Sequence, residues 1–166
     1  MKGFQVLKKA SELLRAQEVG PITIHATKFH NFSKESDESL RRLGFVLYGR
    51  LADSDYEQVY RRIKAVVVPS VWEEPLPYVV AEALLRGRLV IASDIGGISE
   101  MVEDCKGVFL FDPGSAEQLA EKMSYVYRLS TDEAERLGMN NRKTISERFE
   151  KRKILRDFVD LCEDLV

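Results

Sequence analysis

The stretch AVVVPSVWEEPLPYVVAEALLRGRLVIAS, residues 65–93, decides the fold. Its opening run, AVVVPS over 65–70, is continuous and β-branched, the composition of a strand buried on both faces of a parallel sheet. YVVAEALLR over 78–86 has helix-forming residues and no breaker, and LVIAS over 89–93 is a second apolar strand. Strand, helix and strand in succession make a βαβ unit, whose strands are parallel and whose crossover is right-handed.

The same alternation extends in both directions. Upstream, Phe4, Val6, Leu7, Ala10, Leu13 and Leu14 recur at helical spacing, and Gly20-Pro21 closes that helix. ITIHAT (22–27) alternates as a strand, residues 28–43 are polar and predict a loop with a short helix, and FVLYG (45–49) is a further strand. Ser54 and Glu57 have the spacing of a capping box for a helix running to about residue 63. Downstream come a short helix from about 98, a strand GVFLF (107–111) and a helix over 116–129. From about 131 the tail is helical throughout. Its last segment, ILRDFVDLCEDLV, has an apolar stripe, but its charges oppose the helix macrodipole, so packing is expected to hold it in place. The expected fold is α/β: a Rossmann-like, doubly wound, mostly parallel sheet with a helical C-terminal tail, formed as a single domain over 1–166.

Composition narrows the function classes. A net charge of -2, from 25 basic and 27 acidic residues, provides no field for nucleic acid or an anionic membrane. The 2 cysteines, Cys105 and Cys162, fit neither a disulfide framework nor a metal or redox motif, which suggests a reducing compartment. No signal peptide and no membrane-spanning run is present, so the expected location is cytoplasmic. Asp53-Ser54-Asp55 spells a metal-binding DxD pattern, but at a helix start it is better explained by capping. His25 and His30 have no third ligand near them in sequence, and no metal is expected.

In open α/β sheets ligands bind beyond the carboxyl ends of the strands, here the loops after Tyr48, Val68 and Ala92. PSVWEEPLP leads into a helix whose first turn is expected to contain Pro75 and Pro77. Free N–H groups at Tyr78 and Val79, with the helix dipole, would favour a phosphate. Glu82 follows among apolar neighbours and needs donors, since an unpaired buried carboxylate costs several kcal/mol. It could equally belong to a wet stripe of Tyr78, Glu82 and Arg86, with an ordinary Glu82–Arg86 pair. Glu74, one turn earlier, could accept hydroxyls of a group attached to the phosphate. In SDIGGISE, Gly96-Gly97 allows the backbone to approach a ligand closely.

The order PSVWEEPLPYVVAEALLRGRLVIASDIGGISEMV resembles the C-terminal, donor-binding domain of the family 4 retaining glycosyltransferases, one half of a GT-B fold. The resemblance covers nearly the whole chain from Lys2-Gly3, and its central block is highly specific. It implies transfer of a hexosyl group from a nucleoside-diphosphate sugar to an acceptor, with retention and without a metal or other cofactor. Glu74 would then hold hydroxyls of the hexose and Glu82 those of the ribose. The backbone from Leu76 and Pro77 through Tyr78 and Val79 would meet the diphosphate, Gly49-Arg50-Leu51 would pack on the base, and Lys2 would neutralise the leaving group. Pro75-Leu76-Pro77 departs from the family's usual Gly-Phe-Gly and would reshape the hexose pocket. Family members also place a strand and an arginine-bearing loop before the lysine, which are not in this sequence, and an acceptor-binding domain before those. The chain is therefore expected to be half an active site, completed by an N-terminal acceptor-binding domain or a partner chain. The alternative is a non-catalytic nucleotide-sugar-binding or protein-interaction module of the same descent.

Overall fold

The computed structural model describes residues 3–27 and 36–163. In chain order the elements are α1 (Phe4–Ala16), β1 (Ile24–Thr27), α2 (Asp37–Arg42), β2 (Phe45–Tyr48), α3 (Asp53–Arg62), β3 (Ala65–Val68) and α4 (Tyr78–Leu85). They continue with β4 (Leu89–Ser93), α5 (Ile98–Val102), β5 (Val108–Phe111), α6 (Ala116–Arg128), α7 (Thr131–Arg148) and α8 (Lys151–Glu163).

Every described strand pair is parallel, as the alternating pattern requires. β3, β4 and β5 form one sheet in that order, with Val66 opposite Val90 and Val90 opposite Val108. All residues of β4 are buried because it lies between the other two strands and has helices on both faces. On one face Leu89, Ile91, Phe111, Leu119 and Met123 join Ala10 and Leu14 of α1. On the other, Val80, Ala83 and Leu84 of α4 pack with Val90, Ala92, Ile98 and Ile145.

β1 and β2 form a second, separate parallel sheet, with Ile24 opposite Phe45. The sequence predicts one sheet; the described residues form two, and a cavity of about 600 Å³ lies between them. Residues 21–27 along β1 and 62–67 along β3 line it. The pairing edges of β1 and β3 therefore border one shared gap. α1 bridges the two parts: Phe4 packs with Leu40 and Phe45 beneath the β1–β2 pair, while Ala10 and Leu14 pack in the main core. Lys64, at the start of β3, donates to the carbonyls of Tyr127 and Leu129 at 3.2 and 2.9 Å and ties that strand to the end of α6.

Two local expectations are corrected. The capping box at Ser54 and Glu57 does not form: Ala52 occupies the N-cap, without a side-chain bond, and the helix already begins at Asp53. Ser54 thus lies inside the first turn, and Glu57 bonds Arg86 at the C-cap of α4 instead. Packing likewise does not hold α8, none of whose residues is buried; Phe158 is 63% exposed. Its start is fixed locally, by Glu150 accepting from the backbone N–H of Arg152 and Lys153 at 3.0 and 2.7 Å. Those two bonds hold the Glu150 carboxyl below its ordinary value of 4.5. A depressed carboxyl stabilises above its ordinary value and ceases to as pH falls through the lowered one. The first turn of α8 is expected to fray in that acid window, visible in Cα chemical shifts of residues 151–155, and Glu150→Gln should make those shifts insensitive to pH.

Cys105 is buried, and desolvation pushes its thiol up, whereas Cys162 is exposed. No helix among the described residues is long and apolar enough to cross a membrane.

Candidate functional site

The three loops singled out in the sequence come together at the carboxyl edge. The cavity reaches that edge at Tyr48 at the end of β2, Leu51 beyond it, Tyr56 on α3, Pro69 after β3 and Val79 on α4. Gly96 and Gly97, after β4, close against the acidic loop. Gly97 donates its backbone N–H to the Glu74 carbonyl at 3.1 Å, and a Cβ on Gly97 would sit 2.0 Å from the Pro75 carbonyl oxygen. Gly96 has φ 59, and its Cβ would meet the Glu74 backbone at 2.7 Å. The close backbone approach that these glycines allow is thus made to the loop carrying Glu74.

α4 begins at Tyr78 as expected, but neither proline lies in its first turn. Pro77 is its N-cap, fully buried, and Pro75 lies in the preceding loop. Val80 donates to the Pro77 carbonyl at 2.9 Å, while helix geometry gives the amides of Tyr78 and Val79 no partner within the helix. Tyr78 is 78% exposed and Leu76 is exposed beside it, so this helix end faces outward from the carboxyl edge. Glu74 is half-buried, and one of its oxygens accepts from the Trp72 indole N–H at 3.0 Å. Gly49 and Arg50 are exposed and Leu51 is half-buried on the cavity wall. Lys2 and His30 lie outside the described residues.

Glu82 is half-buried and doubly partnered. Its Oε1 is 3.0 Å from Nη1 of Arg86, the pair anticipated for a wet helical stripe, and its Oε2 accepts from the Tyr56 hydroxyl at 3.2 Å. Arg86 also donates Nε to Glu57 at 3.1 Å, and its guanidinium lies 4.7 Å from the centroid of the Tyr60 ring. The Glu57 hydrogen bond, above all, raises the Arg86 pKa; burial, then the hydrogen bond with Tyr56, raises that of the Tyr60 phenol. Tyr56 and Glu57 were missed in the sequence because they are 26 and 29 positions from their partners and carry no local signal.

His25 Nδ1 lies 2.7 Å from the Tyr48 hydroxyl, their rings stacked. Among the described residues no group of three or more histidine, cysteine or acidic side chains is placed to hold a metal ion.

A parallel α/β body with loops meeting at its carboxyl edge has the architecture of the C-terminal domain of a GT-B fold. The family model described as "Glycosyl transferases group 1" matches residues 1–144, and the chain belongs to that family. It is 30% identical over 116 residues to a sucrose synthase of Denitrovibrio acetiphilus, covering 68% of this chain and 15% of that protein. It is 29% identical over 110 residues to spore coat protein SA of Bacillus subtilis, covering 66% and 29%. Among solved structures, Anabaena HepE in complex with UDP superposes with a TM-score of 0.77 at 25% identity, over 98% of this chain and 45% of that one. The C-terminal domain of a group 1 glycosyl transferase from Francisella tularensis shares the fold, with a TM-score of 0.72 at 21% identity over 90% and 80% of the two chains. The chain spans less than a third of the length of either curated relative.

Proposed function

We propose that this chain is the donor-binding half of a retaining glycosyltransferase of family 4, holding a nucleoside-diphosphate hexose at the carboxyl edge of its strands. The observation that supports this reading is a cavity mouth lined by Leu51, Pro69 and Val79, the last of them in the first turn of α4. The diphosphate would lie on the amides of Tyr78 and Val79, where the dipole favours negative charge without a metal. Glu82, one hydrogen bond behind the cavity wall at Tyr56, would take ribose hydroxyls. Glu74, on the loop that Gly97 braces, would take hexose hydroxyls. In such a reaction the enzyme contributes chiefly by stabilising the departing diphosphate, with Lys2 and the helix terminus as donors. HepE was solved with UDP, which makes a uridine nucleotide the first to test.

The acceptor would be supplied from elsewhere, by an N-terminal acceptor-binding domain or a partner chain. Two features are consistent with a further element packing on the described part: the gap bordered by β1 and β3, whose strand edges an added strand would pair with, and the bare apolar stripe of α8. That stripe, with Leu155, Phe158 and Leu161 all exposed, also favours a second reading, an interaction module that retains the fold without catalysis.

Calorimetric titration with UDP, GDP and ADP tests the donor site. One of them should bind, and Glu82→Ala should weaken it by about tenfold or more, the effect of losing hydrogen bonds to a charged acceptor. Failure of all three to bind, or indifference to Glu82→Ala, would sink the donor-site reading. Turnover of a UDP-sugar in the presence of an acceptor-binding domain separates the enzyme from the interaction module.

A further inference from the structure

We propose that Tyr56, Glu57 and Arg86 form a clasp that positions the Glu82 carboxylate for pentose recognition, an inference that rests on the donor-site reading above. It deepens that reading by assigning residues on α3, outside the loop and helix on which the site was located.

The argument begins with what a ribose-binding carboxylate requires. It must be ionised, hold one orientation and keep acceptor positions open for two neighbouring hydroxyls. An ionised carboxylate offers about four lone-pair positions. Glu82 uses one on each oxygen, for Arg86 at 3.0 Å and Tyr56 at 3.2 Å, so both oxygens keep capacity on their remaining sides. Two anchors from different elements fix the plane of the carboxylate better than an i, i+4 partner alone, because Tyr56 rises from α3 and Arg86 caps the end of α4, the helix that carries Glu82.

The charge arrangement fits the same task. Had Arg86 paired with Glu82 alone, the ion pair would satisfy itself and leave a weak acceptor. Here the guanidinium turns two of its nitrogens, Nε and Nη2, to Glu57 and only Nη1 to Glu82. One cation is divided between two carboxylates, and the cluster retains net negative charge to attract hydroxyl donors. The Tyr60 ring lies along the guanidinium at 4.7 Å and keeps Arg86 from swinging away. The phenol of Tyr56 forms part of the cavity wall with Leu51 and Val79, placing this cluster directly behind the surface that a nucleoside would contact.

The full chain is titrated with UDP and with its dideoxy analogue, which lacks both ribose hydroxyls, for the wild type, Tyr56→Phe, Arg86→Gln and Glu82→Ala. Tyr56→Phe and Arg86→Gln should each weaken UDP by roughly five- to tenfold, the scale of one hydrogen bond to a charged group. Their affinity for the dideoxy analogue should match that of the wild type. Equal losses with both ligands would mean a merely structural role and overturn the clasp. So would unchanged UDP affinity in these two variants while Glu82→Ala loses it. If Glu82→Ala itself binds UDP normally, or the wild type binds none of UDP, GDP and ADP, the donor-site reading fails first and the clasp with it. Where GDP or ADP binds in place of UDP, the same variants are titrated with that nucleotide and its dideoxy analogue under the same criteria. Melting temperatures of the variants, read in parallel, identify any that fail to fold; for one that does, Tyr56→Trp or Arg86→Lys, which break the same geometry while keeping bulk or charge, takes its place under the same criteria.

Discussion

Asn141→Leu is expected to lower the unfolding free energy by about 3–5 kcal/mol, the largest loss anticipated for a single substitution outside the site. Asn141 is fully buried on α7. Its Oδ1 accepts the Gly107 N–H at 2.8 Å, and its Nδ2 donates to the Arg88 carbonyl at 3.2 Å. Those backbone groups stand at the entries to β5 and β4, and leucine, of similar size, would leave both buried and unpaired. Each orphaned group costs about 1–3 kcal/mol, which packing gains of an apolar side chain offset only in part. Urea unfolding should show a lower midpoint at unchanged slope. A loss below about 1 kcal/mol would show that these two bonds contribute little.

Gly97→Ala is expected to cost about 1–3 kcal/mol of stability and to abolish most nucleotide affinity. The backbone at Gly97 suits alanine, with φ -78, so the effect is steric. Its Cβ would lie 2.0 Å from the Pro75 carbonyl oxygen, a backbone atom that no rotamer change can move aside. Either the Glu74–Pro75 loop shifts or the start of α5 does, and the 3.1 Å bond from Gly97 to Glu74 goes with it. Gly114→Ala serves as the control: at φ 84 it meets nothing within 4 Å, so it should cost stability through the left-handed backbone while nucleotide affinity holds. Equal affinity in the two variants would separate the acidic loop from donor binding.

The readable part of the fold was the part carried by local pattern. β3 and β4 announce themselves by unbroken β-branched and aliphatic runs, α1 by a stripe, and the order of strands and helices implies parallel pairing without any contact being known. The division into two sheets was not readable at that level, since ITIHAT looks the same whether or not another strand lies beside it. Local rules also misled where distant partners compete. Glu57 had a capping role available three residues away, but the Arg86 guanidinium at the C-cap of α4 offers a charged alternative to its Oε1, and the helix starts elsewhere. α8 shows the converse: its apolar stripe predicts packing, and no described residue covers it.

In the proposed donor site, the choice of Glu74, Glu82 and the α4 terminus follows from chain order once the carboxyl-edge rule is applied. What surrounds them does not. Trp72 on Glu74, Tyr56 on Glu82 and the abutment of Gly97 on Pro75 depend on how loops from separate strands meet, and glycine spacing alone cannot say whether the close neighbour is ligand or protein.

The gap between the two sheets has a thermodynamic corollary. Leu51 follows the β1–β2 pair and Val79 opens α4 against the larger sheet, and both face the same opening. A small molecule touching both would act as a crosspiece, so its binding energy would enter the cohesion of the protein by mass action, and folding and loading would become one linked equilibrium.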